Sequence, residues 1–253
     1  MYDLPSYLWA LVLIGVIGIP TVTCVMLYRG AITAGIGRRT AAAVTTVAAA
    51  VLGGWLLVSG LLARAGVYHQ ASGQAAPWFG VAVAATLLGL LAATRIPLMA
   101  RILAAPGTTA RLALPHTLRV VGVTFLIVMA QGHLPAVFAL PAGLGDIATG
   151  LAAPLVALRL AQGAGRTRAI WFNLFGILDL VVALSIGFLA GLGPWRPFEV
   201  TPSTEPLSLL PLALVPTTAV PLSVALHIVS LRRLRTTAQP EQDRARDLLP
   251  TGG

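Results

Sequence analysis

Residues 169–190 read AIWFNLFGILDLVVALSIGFLA, and this apolar run decides the fold class. Its only charged residue is Asp179. A helix of about 20 predominantly apolar residues crosses the hydrocarbon core of a bilayer, which is about 30 Å thick. Asp179 stands about eleven residues into the run, or roughly 16 Å at 1.5 Å per residue. The run therefore predicts a membrane-spanning helix with a carboxylate near the membrane midplane.

Similar runs fill most of the chain. Hydrophobic residues make up 57% of the sequence and charged residues 10%, and the mean hydropathy is +0.87. A soluble domain carries about 25% charged residues, so the composition predicts an all-α integral membrane bundle. We expect one transmembrane domain at residues 1–231 and a disordered, charged tail at 232–253. The seven predicted spans are 7–28, 40–63, 77–94, 117–140, 144–160, 169–190 and 207–231.

The stretch 118–160 is the hardest part of the chain to divide. It is too long for one span, and we divide it at Pro141-Ala142-Gly143, because proline and glycine end helices and permit tight turns. The alternative is a broken or re-entrant segment at residues 133–145. The proline-broken stretch after the third span, which carries Arg95, Arg101, Arg111 and Arg119, is predicted to form a loop that lies partly on the membrane surface.

Arginine distribution predicts the orientation. All 17 basic residues are arginine, and the net charge is +9. Two arginines, Arg64 and Arg196, fall in the loops on one predicted side, and fifteen fall on the other, including Arg119. The positive-inside rule then places the N-terminus outside and the C-terminus in the cytoplasm, which predicts a multi-pass protein of the bacterial cytoplasmic membrane. Topology explains the basic charge, so we expect no nucleic-acid partner.

Two further features of the sequence complete this picture. The lone Cys24 forms no internal disulfide. The N-terminal residues lack the basic segment of a secretory signal, so the first apolar run is expected to be retained as a span.

Asp179 is the strongest functional candidate, because ionisable groups at membrane depth are costly and usually functional. Gly176, Ala183 and Gly187 share its helix face, so Asp179 is expected to point into the bundle. One interpretation is a proton- or cation-binding carboxylate in a transport path. The alternative is a carboxyl group that hydrogen-bonds to a neighbouring helix and only fixes packing. Asn173 lies on another face and predicts a helix–helix hydrogen bond.

Asp146 is the second intramembrane carboxylate. It is either an acid at a helix N-terminus, favoured there by the helix dipole, or the partner of Asp179 in one site. In the second case His133 or Arg64 would supply the counter-charge. Gln131 and His133 stand beside Pro135, where a helix break at membrane depth is typical of transporter sites.

Four prolines are candidate helix breaks. Pro135 and Pro141 lie in the stretch that is difficult to divide, and Pro216 and Pro221 interrupt the last predicted span. The latter pair predicts either a hinge or a fixed kink.

The four histidines permit a redox hypothesis. His69 and His133 fall on the outer side and His116 and His227 on the inner side, as two stacked bis-histidine haems would require. The alternative is that His69 and His116 are solvated in loops and that His227 reaches the interface.

Other seven-helix classes fail on specific residues. The chain has no lysine for a retinal Schiff base, and no two histidines lie four residues apart as in the seven-helix zinc hydrolases. We therefore expect no metal and no cofactor, and the sequence favours a protein that is not an enzyme.

Two segments carry a resemblance to known sequences. Residues 133–146, HLPAVFALPAGLGD, and residues 171–180, WFNLFGILDL, resemble a group of uncharacterised bacterial integral membrane proteins. The resemblance implies that the two acidic motifs belong together, and it implies no activity.

The sequence favours a small-solute or proton-coupled transporter, with Asp179 and Asp146 binding the proton or cation. Its partners would be the lipid bilayer and a small-molecule or proton substrate. The alternatives are a non-catalytic membrane subunit or scaffold and a membrane haem or redox protein.

Overall fold

The computed structural model describes residues 4–69, 77–192 and 200–236. All regular secondary structure in these ranges is helical. In chain order the helices are α1 Ser6–Thr33, α2 Arg38–Arg64, α3 Pro77–Ala93, α4 Pro97–Ala104, α5 Thr108–Ala130, α6 Ala136–Ala161, α7 Arg166–Leu192 and α8 Val215–Thr236.

Six of these helices are long and apolar enough to cross a membrane, namely all except α3 and α4. The pair α3 and α4 would make a seventh span, although it bends by 78° at its junction. Pro97 is the first residue of α4, a position that suits proline because the missing N–H would be unpaired there anyway. The loop that was predicted to carry Arg95 to Arg119 is therefore replaced by α4 and the first half of α5.

The division between α5 and α6 differs from the predicted one. The predicted break at Pro141 to Gly143 is wrong, because α6 runs unbroken through both residues. The chain turns instead at 131–135, where Gly132 adopts a φ of 77° and Pro135 precedes the first residue of α6. A left-handed glycine ends a helix at little cost, whereas Pro141 removes only one hydrogen bond from a long helix. Residues 136–145 are thus part of a full-length helix.

Helix α7 ends and helix α8 begins with irregular backbone. The last residues of α7, Phe188–Leu192, contain a kink at Gly191, and α8 opens with a π turn, Val215–Ala219. Pro216 lies in that opening turn, and Pro221 is the second residue after it. Helix α8 reaches Thr236, beyond the predicted end at 231, and residues 237–253 of the predicted tail lie outside the described residues.

Helix α8 is the most buried of the candidate spans, and α2 is the least buried. The main apolar core packs α8 against α1, α5, α6 and the C-terminal half of α2. Large apolar side chains cover the periphery, as Val47, Leu155 and Trp171 illustrate, each more than 60% exposed. Polar groups are therefore concentrated inside the bundle and at its ends.

Arginines tie the helices together at one end of the bundle, which we call the basic end. Arg101 donates to the carbonyl of Ala34 at 3.3 Å, and Arg233 donates to the carbonyl of Ala104 at 2.8 Å. The other end is held by Gln131, whose amide donates to the Tyr7 hydroxyl at 2.6 Å.

Candidate functional site

Arg119 occupies the middle of α5, eleven residues from each end of Thr108–Ala130. It is 4% exposed. The sequence assigned Arg119 to a cytoplasmic loop, and this assignment is wrong. Pro115 suggested a loop, but it sits in the first turn of a 3₁₀ segment, Leu114–Gly122, within the helix. Fourteen arginines therefore remain on the predicted inner side, and one cation lies inside the bundle.

The Arg119 guanidinium binds both carboxylates that lie within the candidate spans. Nε and Nη2 each lie 2.7 Å from Oδ1 of Asp146, and Nη2 also donates to Oδ2 of Asp179. The side chains of Asp146 and Asp179 are 14% and 6% exposed. The structure thus places on one cation the two acids that the sequence suggested as a pair. With both acids ionised, these three side chains carry a net charge of −1.

Asp179 stands thirteen residues from each end of α7, so it is central in its helix as Arg119 is in α5. Asp146 lies ten residues after the first residue of α6. The interpretation of Asp146 as an acid at a helix N-terminus is therefore wrong, because the true start of α6 lies earlier than the predicted one. Arg119, Asp146 and Asp179 form what we call the charged cluster.

A second set of polar side chains extends the charged cluster onto α8. Nη1 of Arg119 lies 3.3 Å from Nε2 of His227, and Nδ1 of His227 lies 2.9 Å from Oδ1 of Asn173. The guanidinium can only donate, so Nε2 accepts and Nδ1 carries the proton that is donated to Asn173. Asn173 in turn donates to Ser230 at 3.1 Å. The predicted helix–helix role of Asn173 corresponds to this bond.

His116 and His227 stack face to face. Their ring centroids are 3.8 Å apart with an interplanar angle of 13°, and Phe172 lies edge-on to both rings. Both histidines are fully buried, so neither the solvated nor the interfacial interpretation applies. Neither ring nitrogen of His116 has a hydrogen-bond partner among the described residues. Rings stacked this closely leave no space for a haem between them, which excludes the inner of the two haems that the redox hypothesis requires.

Glycines make room for three side chains of this site. A Cβ at Gly122 would overlap Asp146, one at Gly145 would overlap the Asp179 carboxylate, and one at Gly176 would overlap the His227 imidazole. The small-residue face that the sequence showed around Gly176 therefore receives His227. Close approach of helices through small residues is the usual way to bring intramembrane polar groups together.

Two small cavities, each about 40 Å³, flank the charged cluster. The first touches Arg119 and Asp146 and extends to Gly15 of α1. The second touches both carboxylates and extends past Phe138 to Leu207, away from the basic end. A water needs at least about 10–15 Å³ of such space, so each cavity has room for a few waters and for no larger solute.

The other candidate residues lie elsewhere. Gln131 and His133 belong to the turn between α5 and α6, and Arg64 is exposed at the end of α2. None of them supplies the predicted counter-charge, which comes from Arg119. His69 lies outside the spans, with Nε2 3.5 Å from a carboxylate oxygen of Glu205. In the described part of the chain, no three His, Cys, Asp or Glu side chains are grouped as a metal site.

Arg119, His116 and His227 are the site residues that the sequence did not assign to this site. One signal was present for His227, because Ser223, His227 and Ser230 are spaced four and three residues apart and share one face of a helix. Arg119 had no comparable signal, since an arginine after a proline-rich stretch is more typical of a loop.

Comparison with known proteins gives one match. The model of a family described as a domain of unknown function, DUF8737, matches residues 76–235. This range contains every side chain of the charged cluster and both stacked histidines. No curated protein and no solved structure matches the chain.

Proposed function

Because the chain belongs to the DUF8737 family, whose description names no activity, we propose a function from the site itself. The protein is an integral membrane protein that binds and releases a proton at the charged cluster, as the coupling step of a proton-driven transporter of small solutes. The shared use of one guanidinium by two carboxylates carries this proposal.

Membrane placement is supported by the helices and by the surface. Six helices have the length and composition of membrane spans, and large apolar side chains cover the bundle periphery. A soluble protein rarely exposes contiguous apolar area on this scale. In a bilayer the same surface faces lipid, while Arg119 and Asp179, at the midpoints of α5 and α7, lie close to the membrane centre.

The charge balance of the cluster supports proton binding. Ionised groups are expensive in a medium of low dielectric constant unless they are paired. Arg119 neutralises one carboxylate, and the second leaves the cluster with a negative charge. A single proton on Asp146 or Asp179 brings the net charge of the cluster to zero. Carboxylates arranged in this way form proton relays in many pumps and transporters.

Proton binding would change how the helices are joined. The pair between Arg119 and Asp179 links α5 to α7, and the pair between Arg119 and Asp146 links α5 to α6. A proton on Asp179 converts the first link from an ion pair into a hydrogen bond from the guanidinium to a neutral carboxylic acid, and it leaves the second link intact. Because the flanking cavities hold only a few waters, the conformation described here corresponds to an occluded state in this proposal.

The test is charge movement driven by a pH jump. Proteoliposomes of the purified chain on a solid-supported membrane should give a transient current when the pH is stepped, because protons move to the buried cluster. Asp179→Asn should abolish the current while the protein remains folded and monodisperse. Glu205→Gln, which removes an acid outside the spans, is the matched control and should behave as wild type. Absence of a current in wild type, or an unchanged current in Asp179→Asn, would contradict the proposal.

A membrane scaffold or non-catalytic subunit is the second candidate. The observation that favours it is the extent of the polar network, which joins α5, α6, α7 and α8 through buried side chains. A network with this role would only fix helix packing. A scaffold role predicts that Asp179→Asn changes the stability of the protein. It also predicts that neither the wild type nor this variant gives a pH-driven current.

A further inference from the structure

A wide cleft opens between α2 and α3 on the side of the bundle away from the charged cluster. It has a volume of about 600 Å³, and α1, α4 and α8 complete its walls. We call it the lateral cleft. Its lining is almost entirely apolar, as Val44, Val47, Ala48, Leu90 and Leu226 illustrate. Sites for small amphipathic molecules typically have volumes of about 300–1,000 Å³.

Helix α2 packs against the end of α1 near the basic end, through Ala41, Ala31 and Ile36, and is hydrogen-bonded to α8 near its far end. The Trp55 indole donates to the carbonyl of Thr217 at 2.9 Å, and the Ser59 and Thr217 hydroxyls lie 2.7 Å apart. Tyr68, just after α2, packs edge-on against Phe79 of α3. The part of α2 nearer the basic end has small side chains, mostly Ala, Thr and Val. These side chains leave the space between α2 and α3 unfilled.

The length of the cleft matches one leaflet of a bilayer. Its lining on α2 runs from Thr40 to Leu52. The rise between these two residues is roughly 18 Å at 1.5 Å per residue. Half of the hydrocarbon core measures about 15 Å, so the cleft has the depth of one acyl chain that starts at the basic end.

Two exposed arginines adjoin residues that line the cleft. Arg39 directly precedes the lining residue Thr40, and Arg95 stands between the lining residues Thr94 and Ile96. Both arginines are exposed. Among the described residues the acids are Asp146, Asp179 and Glu205, and none of them lines the cleft. Arginine pairs strongly with phosphate oxygens, and basic pockets between membrane helices bind anionic headgroups.

We propose that the lateral cleft binds one anionic phospholipid from the leaflet at the basic end. One acyl chain fills the apolar cleft, and the phosphate lies between Arg39 and Arg95. The site rests on the membrane placement proposed above and is independent of proton binding at the charged cluster. Helix α8 borders both sites, because Leu226 lines the cleft and the adjacent His227 belongs to the polar network.

The experiment measures retained lipid by native mass spectrometry. The full chain is equilibrated with equal amounts of phosphatidylglycerol and phosphatidylethanolamine that carry identical acyl chains. We expect one phosphatidylglycerol per chain and a preference of roughly tenfold or more, since each arginine near the surface contributes about a fivefold preference for anionic lipid. Arg39→Gln with Arg95→Gln should bring the ratio close to one. Arg159→Gln with Arg168→Gln, the same charge change elsewhere at the basic end, should retain the preference.

A second pair of variants tests the acyl chain. Ala48→Trp fills the cleft and should remove the bound lipid, whereas Ala50→Trp, two residues along on the exposed face of α2, should leave it bound. The proposal is overturned if wild type shows no preference, if both arginine pairs lower it equally, or if folded Ala48→Trp still retains the lipid. A pH-driven current that persists in these variants would leave the proposed function standing in each of these cases.

Discussion

Replacement of Arg119 by methionine is the perturbation that exposes the energetics of the charged cluster most clearly. Methionine resembles the apolar stem of the arginine side chain and carries no charge. In the native protein Arg119 forms ion pairs with Asp146 and Asp179 and approaches His227 at 3.3 Å. Arg119→Met leaves two buried carboxylates without a cation. Removal of one partner from a buried ion pair costs about 3–5 kcal/mol, so the unfolding equilibrium constant should rise by roughly two to four decades.

The assay is reversible unfolding in mixed micelles, followed by tryptophan fluorescence. Arg159→Met is the matched control, because Arg159 is exposed at the end of α6, and it should change the free energy of unfolding by about 0.5 kcal/mol or less. Combining Arg119→Met with Asp146→Asn and Asp179→Asn should recover most of the loss, since no buried charge then remains. Two results would contradict this prediction. In one, the free energy of unfolding of Arg119→Met lies within about 1 kcal/mol of the wild-type value; in the other, the triple variant is no more stable than the single one.

Three further predictions concern packing and hydrogen bonds. Gly176→Val should destabilise the protein by about 2 kcal/mol or more, because its Cβ would overlap the His227 ring; a change below about 0.5 kcal/mol in the unfolding assay would contradict this contact. Thr217→Val should lower the free energy of unfolding by about 1 kcal/mol, because it removes the bond to Ser59. The double variant with Ser59→Ala should lose less stability than the two single variants added together. Burial raises the pKa of the Tyr68 hydroxyl above its ordinary value near 10, and the bond to Ser59 lowers it by less. Folding therefore favours the neutral phenol, so this contribution to stability is complete below pH 10 and is lost as the pH rises through the native value. Tyr68→Phe should reduce the alkaline loss of stability, and an identical alkaline profile in the variant would count against the buried phenol.

Much of the fold followed from hydropathy, because apolar runs of about 20 residues have few alternatives to a helix. The boundaries were harder to predict where proline was involved. Pro141 was expected to end a helix and lies inside α6, whereas Gly132 ends α5 through a left-handed conformation. The neighbouring sequence does not distinguish a proline inside a helix from one at its end. A long helix that packs against α5 and α7 tolerates one missing hydrogen bond.

The sequence identified the two acids of the charged cluster and missed its cation. Asp146 and Asp179 stood out because charge is rare within apolar runs, and their pairing was a stated alternative. Arg119 was missed because the positive-inside rule explains almost every arginine of this chain. Nothing in the neighbouring sequence distinguishes the one buried arginine from those in loops. Only the packing of α5 against α6 and α7 identifies it as the counter-charge.

The stacked histidines depended on tertiary packing in the same way. His116 lies in a proline-broken stretch of the sequence and His227 near the end of the last helix. Gly176 allows α8 to approach α7 closely enough for His227 to enter the core. Their contact depends on three helices, and no spacing along the chain encodes it.

Proton binding at the charged cluster is the central claim, and an infrared pH titration of the folded protein in lipid tests it most directly. A protonated carboxylic acid has a carbonyl stretch that is separate from the bands of carboxylates and amides. Because the chain has eight acidic residues, the band of each variant is compared with that of wild type at the same pH. We predict a component that grows as the pH is lowered, is absent from Asp146→Asn combined with Asp179→Asn, and is unchanged in Glu205→Gln. A folded wild-type protein whose band equals that of the double variant at every pH would contradict the claim.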